Sequence, residues 1–208
     1  MATLKLNTPF KREVIQNIKV RDIIYITGKM FTARDVGHKK MLKLHKEGKK
    51  IPFNPEDMVL YHCGPLVKKE NGEWKILSAG PTTSIRMEIF EDEFLGAFQT
   101  RIIIGKGGMG EKTLKALEKV GAVYTHYTGG AGVLAAKAIK KVDNVFFLDE
   151  LGIPEAVWLL EVEDFGPLIV TMDANGNSLY NDLAKEVQKN LERIHKKIEN
   201  KKEVGENG

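Results

Sequence analysis

Short apolar runs alternate with longer amphipathic runs along the chain, a pattern typical of proteins that mix strands and helices. Strands are expected at 3–6, 22–27, 58–63, 101–104, 122–127, 144–148, 156–162 and 168–172. The strand at 22–27 is expected to end at Gly28. A hairpin is expected over 66–78, because Asn71-Gly72 favours a tight two-residue turn.

Helices separate several of these strands, most regularly in the second half of the chain. Helical spacing predicts them over 32–48, 111–120, 132–142 and from 179 to about 200. Strand and helix alternate from 101 to 148, which predicts parallel strands joined by helical crossovers. We therefore expect an α/β protein with a partly parallel sheet.

Composition narrows the class of protein. The chain has 208 residues, of which 42% are hydrophobic and 29% charged. No apolar run approaches the ~20 residues that span a bilayer, and the N-terminus has no secretory pattern. The single cysteine, Cys63, excludes an internal disulfide and a Cys-rich zinc site. It also excludes a self-contained iron–sulfur cluster, which needs about three or four cysteines. A reducing, cytoplasmic location is expected.

The net charge of +4 is concentrated in two lysine-rich helical stretches, 39–50 and 185–202. In both stretches the charges alternate with apolar residues, as on a solvated helix face. Nucleic-acid binding is the alternative interpretation and predicts steeply salt-dependent association. The lysines are not interleaved with aromatic residues, which counts against it.

The loop GKGGMG at 105–110 matches the pattern of a dinucleotide-binding turn between a strand and a helix. The acidic ribose ligand should follow ~20 residues later, at the end of the next strand. That strand ends in Thr125-His126-Tyr127-Thr128 and has no carboxylate. What remains is a helix start that attracts an anion, with Lys106 beside it. The alternative is a tight turn with a solvated lysine.

A second cation, Arg34, lies in the first turn of the helix that opens with a capping box formed by Thr32 and Asp35. A cation at a helix N-terminus opposes the helix dipole. Arg34 is therefore expected to meet an anion there, and a carboxylate suits its two-pronged geometry. The alternative is a surface arginine paired with Asp35 or another acid. His38 shares its helix face and is expected to be a packed or capping residue.

The segment SAGPTTSIRM at 78–87 carries three consecutive hydroxyls at the start of a helical turn, with Arg86 one turn further on. Thr82, Thr83 and Ser84, together with the first free N–H groups, predict an anion-binding concavity. The alternative is a helix cap with more hydroxyls than it needs.

Other reactive side chains give weaker signals. Cys63 ends an apolar strand and is expected to be buried and inert. The histidines at 38, 62 and 126 are too dispersed to predict a metal site, and no metal ligand is assigned. Asp164 and Asp173 adjoin turns, where aspartate is commonly structural. The chemistry that remains is three cations near glycine turns or helix starts, which indicates a polyanion or dicarboxylate site without its own electrophile.

Six segments, in this order, carry a family resemblance: TARDVGH, YHCGP, SAGPTTSIRM, IGKGGMG, YTGGAGVLAAKAI and DFGPLIVTMDANGNSLY. Each is weak alone, but together they resemble the β subunit of class I fumarase and of the related L-tartrate dehydratase. The resemblance covers about 4–192. It implies a swivelling β/β/α-type domain over 1–192, with a central mixed sheet and packed helices. Residues 193–208 are expected to be a polar helix end and tail.

The resemblance implies a hydro-lyase that converts (S)-malate reversibly to fumarate and water in the tricarboxylic acid cycle. It implies a partner α subunit that carries a [4Fe–4S] cluster on its own cysteines, in an α2β2 heterotetramer. The alternatives are an L-tartrate dehydratase β subunit and a non-catalytic, carboxylate-binding regulatory subunit.

The resemblance also implies roles for particular residues. Arg34, Thr82, Arg86 and Lys106 fall on the family's substrate-binding positions. Thr82 is expected to be the base that removes the proton, with Thr83 as the fallback, and a neighbouring arginine such as Arg34 to activate it. The acid that protonates the leaving hydroxyl is expected on the partner. The sequence differs from the common sequence of the family at Gly37 and Gly132, which are not proposed ligands.

Overall fold

The computed structural model describes the backbone of residues 1–205 and the side chains of residues 1–196. Its strands are β1 (Thr3–Asn7), β2 (Ile23–Thr32), β3 (Val59–Tyr61), β4 (Leu66–Glu70), β5 (Glu73–Ser78), β6 (Ile102–Gly105), β7 (Val123–His126), β8 (Ile139–Phe146) and β9 (Val157–Met172). Its helices are α1 (Arg12–Gln16), α2 (Asp35–Lys46), α3 (Glu91–Phe98), α4 (Glu111–Val120), α5 (Gly132–Ala138), α6 (Leu148–Leu151) and α7 (Leu179–Gly205), with a 3-10 turn at Ser84–Met87.

Seven strands form one mixed sheet in the order β1-β2-β3-β6-β7-β9-β8, and β4 and β5 form a separate hairpin. The neighbours from β1 to β7 are parallel, whereas β9 runs antiparallel to β7, β8 and β2. Since β9 pairs with both β7 and β2, the strands β2, β3, β6, β7 and β9 close into a ring. The expected α/β class, with a central mixed sheet, is confirmed.

The core lies on both faces of this sheet, because side chains alternate between faces along a strand. In β6, Ile102 and Ile104 pack in one apolar cluster with residues of α1 and α5. Ile103 points to the other face and packs in a second cluster with α2, α3 and α4. Strands buried on both faces read as continuous apolar runs, which is why the sequence identifies them.

Several local predictions are confirmed. The hairpin of β4 and β5 turns at Asn71 and Gly72, which both have positive φ. Helix α4 spans the expected residues and ends at Gly121 in the left-handed conformation. The pairing of β6 with β7 across α4 is parallel, as the alternation predicts.

Two strand boundaries were predicted wrongly. Strand β2 does not end at Gly28 but continues to Thr32, since its pairing with β9 only shifts register there. The two predicted strands over 156–172 are one strand, β9, because Phe165 and Leu168 keep pairing with β2 across the expected connector. In both cases pairing with a distant strand overrides a local turn signal.

The region after β7 also differs from the prediction. Helix α5 ends at Ala138 rather than near 142, because the next residues form β8. Strand β8 pairs antiparallel with β9 and not with β7, so the expected third parallel strand is wrong. Helix α7 extends to Gly205, beyond the expected end near 200, and residues 206–208 of the predicted tail lie outside the described residues.

The predicted capping box at the start of α2 is absent. Thr32 belongs to β2, and its hydroxyl accepts a hydrogen bond from the Trp158 backbone N–H at 3.1 Å. The first turn of α2 is capped instead by Glu155, whose Oε2 accepts from the Val36 N–H at 2.8 Å. A side chain from the segment before β9 therefore holds the helix start that carries Arg34.

Candidate functional site

The hydroxyl-rich segment lies between the ends of the parallel strands β3 and β6. The Thr82 N–H donates to the His62 carbonyl at 2.7 Å, and the Thr82 carbonyl accepts from the Lys106 N–H at 3.2 Å. The Ser84 N–H then donates to the Lys106 carbonyl at 3.0 Å. These three bonds fix Thr82 and Thr83 beside Lys106 at the carboxyl ends of the parallel strands, where α/β proteins commonly bind ligands.

The three hydroxyls of this segment have different environments. Thr82 is half-buried and Thr83 is exposed. Ser84 is fully buried, and its Oγ lies 2.9 Å from His62 Nδ1. Two of the three predicted hydroxyls can therefore reach a ligand, and the third is a buried structural contact.

Lys106 is a half-buried cation that packs against the loop after β7. A Cβ placed at Gly129 would lie 2.9 Å from Lys106 Cδ, so a larger residue there would displace this side chain. Lys106 takes no part in the ion pairs among the first 196 residues. Its charge is thus available to an anion.

Arg34 lies across the end of β3. A Cβ at Gly64 would come within 2.8 Å of Arg34 Nη1, which shows how closely the guanidinium packs on this turn. Arg34 Nε is 3.4 Å from Glu155 Oε1 and is buried without a hydrogen bond. Arg34 therefore pairs with an acid other than Asp35, which was one of the alternatives from the sequence. The ion pair with Glu155 is loose.

Arg86 reaches the same helix start from the 3-10 turn. Its Nη2 lies 2.5 Å from Asp35 Oδ2, and its side chain is 46% exposed. Since Asp35 follows Arg34, the N-cap residue of α2, both arginines lie at the N-terminus of this helix. These two arginines, together with Lys106, Thr82 and Thr83, form the candidate cationic face.

The start of α4 does not provide the predicted anion site, because the protein's own Glu88 occupies it. Glu88 Oε2 accepts from the Gly110 N–H at 2.7 Å and from the Thr113 hydroxyl at 2.6 Å. Glu88 Oε1 accepts from the Lys112 and Thr113 N–H groups at 3.1 and 3.3 Å. The free N–H groups and the helix dipole are already satisfied, so Lys106 is the part of this loop left for a ligand.

Replacing Glu88 with alanine is expected to destabilise the fold by about 1–2 kcal/mol, the usual cost of a lost helix cap. Urea denaturation of the full chain measures this as a lower midpoint at an unchanged slope. Glu93→Ala is the matched control, because Glu93 makes only an exposed ion pair with Lys46. Equal losses in the two variants would contradict the capping role.

Beneath this face lies a trio of buried titratable side chains. His38 Nε2 and His62 Nε2 lie 3.4 and 3.2 Å from Glu91 Oε2, and all three side chains have no exposed surface. The prediction that the histidines are too dispersed to form a site is wrong for these two. His126 lies elsewhere, and its Nδ1 is 3.2 Å from the Gly107 N–H.

Burial shifts the ionisation of the trio. It lowers the pKa of His62 below its ordinary value of 6.5, and the facing Glu91 carboxylate offsets only part of this. Burial alone would raise the pKa of Glu91, but the two imidazoles that face it outweigh burial and lower it below its ordinary value of 4.5. His62 is thus held neutral and Glu91 ionised at neutral pH.

Acid is expected to destabilise the chain through both shifts. When the pKa of a group is lower in the folded state than in the unfolded state, its contribution to stability is complete at pH values above the unfolded-state pKa. That contribution is lost as the pH falls through the folded-state pKa. The loss should begin below 6.5 for His62 and below 4.5 for Glu91. Each group that takes up a proton lowers the free energy of unfolding by at most about 1.4 kcal/mol for each pH unit. A loss of about 1 kcal/mol lowers Tm by about 2–4 °C in a chain of this size.

Thermal unfolding of His62→Gln and of His45→Gln, each measured as a function of pH, checks this expectation. His62→Gln should flatten the fall in Tm just below the ordinary histidine value, whereas the exposed His45 should leave it unchanged. An identical slope for His62→Gln and the unmodified chain would contradict it.

The remaining candidates have structural surroundings. Cys63 is fully buried, and burial raises the pKa of its thiol, so it is held as a protonated core side chain. Asp173 is buried and accepts hydrogen bonds from Val20, Asn175 and Asn177, as expected of a turn aspartate. Asp164 is exposed and pairs with Lys5.

Four acidic residues of this region were not predicted from the sequence. They are Glu88, Glu91, Glu155 and, as a partner of Arg86, Asp35. Glu88 acts on backbone 22 residues away, and Glu155 on backbone 119 residues away. No local pattern marks such contacts, and Glu91 has the same sequence context as any acidic residue in the first turn of a helix.

The amino-acid sequence is matched by a family model. The model described as Fumarase C-terminus covers residues 1–183, and the chain belongs to this family. The segments that carry the predicted site all fall within the matched residues.

Curated relatives extend the comparison. The chain is 48% identical over 180 residues to a putative L(+)-tartrate dehydratase subunit beta of Methanocaldococcus jannaschii, which covers 86% of this chain and 92% of that protein. It is 41% identical over 174 residues to the L(+)-tartrate dehydratase subunit beta of Escherichia coli, covering 84% and 85%. It is also 44% identical over 183 residues to a putative class I fumarate hydratase of Geobacillus stearothermophilus, covering 88% of this chain but 34% of that protein.

Among the described residues, no helix is long and apolar enough to cross a membrane.

Proposed function

We propose that the chain is the β subunit of a two-subunit hydro-lyase and that its cationic face binds a C4 2-hydroxy dicarboxylate. The proposal is supported by the backbone bonds that fix Thr82 beside Lys106 and by the position of Arg34 and Arg86 at the N-terminus of α2. Membership in the Fumarase C-terminus family supports the reaction class. Two relatives are named subunit beta, which supports the need for a partner.

The charges of the face fit the charges of the reaction. A dicarboxylate brings two negative charges, and removing the proton next to a carboxylate builds a third. Arg34, Arg86 and Lys106 supply three positive charges. Stabilisation of charge that develops in the transition state is commonly the largest catalytic contribution. On binding, substrate carboxylates would replace Glu155 at Arg34 and Asp35 at Arg86.

In this proposal Thr82 removes the proton. Its backbone N–H and carbonyl are both hydrogen-bonded, to His62 and Lys106, so its side chain projects from a fixed position. A threonine hydroxyl is a weak base at neutral pH, and a cation beside it favours the deprotonated form. Arg34 is assigned this second role in addition to carboxylate binding. Thr83 is more exposed and is the fallback base.

A [4Fe–4S] cluster does not fit this chain. Such a cluster needs about three or four thiolates, and the single cysteine is a buried thiol. We propose that the cluster and the acid that protonates the leaving hydroxyl belong to the α subunit, in an α2β2 assembly. This chain then provides the substrate cations and the base.

The first candidate substrate is (S)-malate, with fumarate as the product. Its two carboxylates and one proton to be removed match the three cations and the base. L-tartrate is the second candidate, and the names of the relatives favour it. Tartrate has one more hydroxyl to be paired, and sites that pair a substrate hydroxyl discriminate by large factors.

Anaerobic co-expression with a cysteine-bearing α subunit, followed by parallel turnover of malate and L-tartrate, tests the proposal. Activity should require both chains, and the preferred substrate should exceed the other by at least about tenfold in kcat/KM. A preference for malate supports the first candidate, and a preference for tartrate supports the second. A reconstituted complex that binds dicarboxylates without turnover would instead indicate a regulatory subunit.

A further inference from the structure

The buried trio of His38, His62 and Glu91 has no role in the proposed reaction, yet it lies directly under the residues that do. His38 is on α2, His62 follows β3, and Glu91 begins α3. Both histidines bring Nε2 near the same carboxylate oxygen, at 3.4 and 3.2 Å, and neither contact has the geometry of a hydrogen bond. An ionised carboxylate with no exposed surface is costly unless it is paired, so the proton content of the two rings decides whether this arrangement is stable.

The polar neighbours of His38 favour a proton on both ring nitrogens. Its Nδ1 lies 2.8 Å from the Arg34 carbonyl, and a carbonyl oxygen can only accept, so Nδ1 carries a hydrogen. A neutral ring would then present the Nε2 lone pair to the Glu91 carboxylate, and two acceptors would face each other. A second hydrogen on Nε2 removes this conflict and makes His38 an imidazolium.

The surroundings of the two rings place the charge on His38 rather than His62. The His38 ring centroid is 4.4 Å from that of Phe94 and 5.4 Å from that of Phe90. Aromatic rings attract a cation within about 6 Å. His62 has the Ser84 hydroxyl at its Nδ1, and a hydroxyl can donate. A neutral His62 can therefore accept from Ser84 and donate its Nε2–H towards Glu91.

We propose that His38, Glu91 and His62 form a charge-balanced positioning unit, with an imidazolium on His38, a carboxylate on Glu91 and a neutral His62 protonated on Nε2. The unit holds Arg34 and the Thr82–Ser84 segment in place for the substrate. Its net charge is zero, as a site without solvent requires. Only the positioning role rests on the proposed function. The protonation pattern is independent of the reaction.

Two short connections link the unit to the face above it. The Arg34 carbonyl accepts from both the backbone N–H and the ring Nδ1–H of His38, at 2.9 and 2.8 Å. His62 accepts from the Thr82 N–H through its carbonyl and contacts Ser84 through its ring. Loss of the Glu91 charge would therefore disturb both Arg34 and the Thr82–Ser84 segment.

Other ionisable groups near the trio do not change this pattern. The charge of Asp35 at the start of α2 acts on His62 and favours a proton there, but burial of the ring opposes it more strongly. The Tyr124 hydroxyl from β7 feels the charge of Glu91 and stays protonated, because burial raises its pKa. The lowered pKa of Glu91 agrees with a carboxylate in the unit.

A metal ion is the competing occupant. One ligand atom from each of the three residues lies within 4.8 Å of the others. Structural zinc almost always takes four protein ligands, and catalytic zinc with three keeps a fourth position for water or substrate. The group formed by the described residues has three ligands and no exposed surface. A dication would also leave a net charge of +1 in a buried site, whereas the proton leaves none. The proton pattern is therefore favoured, and a bound metal would overturn it.

Long-range ¹H–¹⁵N spectra of the histidine rings in the full-length chain, near neutral pH, test the proton pattern directly. His38 should show two protonated nitrogens and His62 a single proton on Nε2, with assignments from the signals lost in His38→Gln and His62→Gln. A neutral His38 would overturn the proposal. So would one equivalent of zinc or another transition metal found by elemental analysis of the purified chain.

Glu91→Gln in the reconstituted two-subunit enzyme tests the positioning role. The KM for the dicarboxylate should rise and kcat/KM should fall by about 10- to 100-fold, as for small displacements of reacting groups. Leu117→Val on α4 is the control, because it weakens packing at a fully buried site on a helix that holds none of the trio. A fall in Tm with unchanged KM and kcat in Glu91→Gln would show a merely structural role and overturn positioning.

The activity assay and the spectra distinguish failure of the proposed function from failure of the positioning unit. Absence of any hydro-lyase activity in the unmodified complex would refute the proposed function and leave the proton pattern to the spectra. An active complex whose His38 is neutral would refute the positioning unit alone.

Discussion

Replacing Arg86 with alanine is expected to lower the turnover number of the reconstituted two-subunit enzyme by about 100- to 1000-fold, the usual effect of removing one group that stabilises developing charge. The fold should persist, because the Arg86 side chain is 46% exposed and its one ion pair within residues 1–196 is with Asp35. Exposed ion pairs contribute little to stability. The loss should therefore appear in kcat and not in Tm or in assembly with the partner.

Two further variants make the Arg86 measurement specific. Arg12→Ala is the matched control, because Arg12 lies far along the chain and donates only to the Lys119 carbonyl. It should keep normal turnover. Asp35→Asn removes the acid that competes with the substrate for Arg86, so it should lower KM or leave it unchanged rather than abolish activity. Near-normal turnover of Arg86→Ala would remove Arg86 from the proposed site.

Thr82→Val is expected to lower turnover by about 100- to 10,000-fold, the range typical of a lost general base. Valine has the shape of threonine without the hydroxyl, and the backbone bonds of Thr82 to His62 and Lys106 remain. Substrate binding should therefore be retained, while exchange of the substrate's carbon-bound hydrogen with solvent should stop. Isotope exchange and steady-state turnover measure the two effects.

Thr83→Val is the internal control for the base. Thr83 is the next residue and is more exposed, so its loss should change turnover by only a few fold. If Thr83→Val instead abolishes exchange and Thr82→Val does not, the base is Thr83. If both variants keep normal exchange, the base is not in this segment.

The parts of the fold that depend on neighbouring residues were predictable from the sequence. The turn at Asn71 and Gly72, the end of α4 at Gly121 and the buried strand β6 all follow from local pattern. Predictions failed where a distant strand decided the outcome. Strand β9 pairs with β2 and β8, and this pairing extends β2 beyond Gly28, joins two predicted strands and converts the end of a predicted helix into β8.

The candidate site divides in the same way. The cations at 34, 86 and 106 and the threonines at 82 and 83 could be chosen as candidates because residue type and glycine turns are local signals. Their partners were not, since Glu155 and Asp35 meet the arginines across the fold. The anion expected at the start of α4 proved to be Glu88, which arrives from the 3-10 turn region.

By itself, the sequence determined the class of protein, the family resemblance and the cationic residues, because these depend on composition and on motifs a few residues long. The tertiary structure alone decided which charges are already paired and which are left for a ligand. It also brought His38, His62 and Glu91 together in a site without solvent. The physical reason is that ionisation and pairing depend on distance through space and on burial, and neither is a property of spacing along the chain.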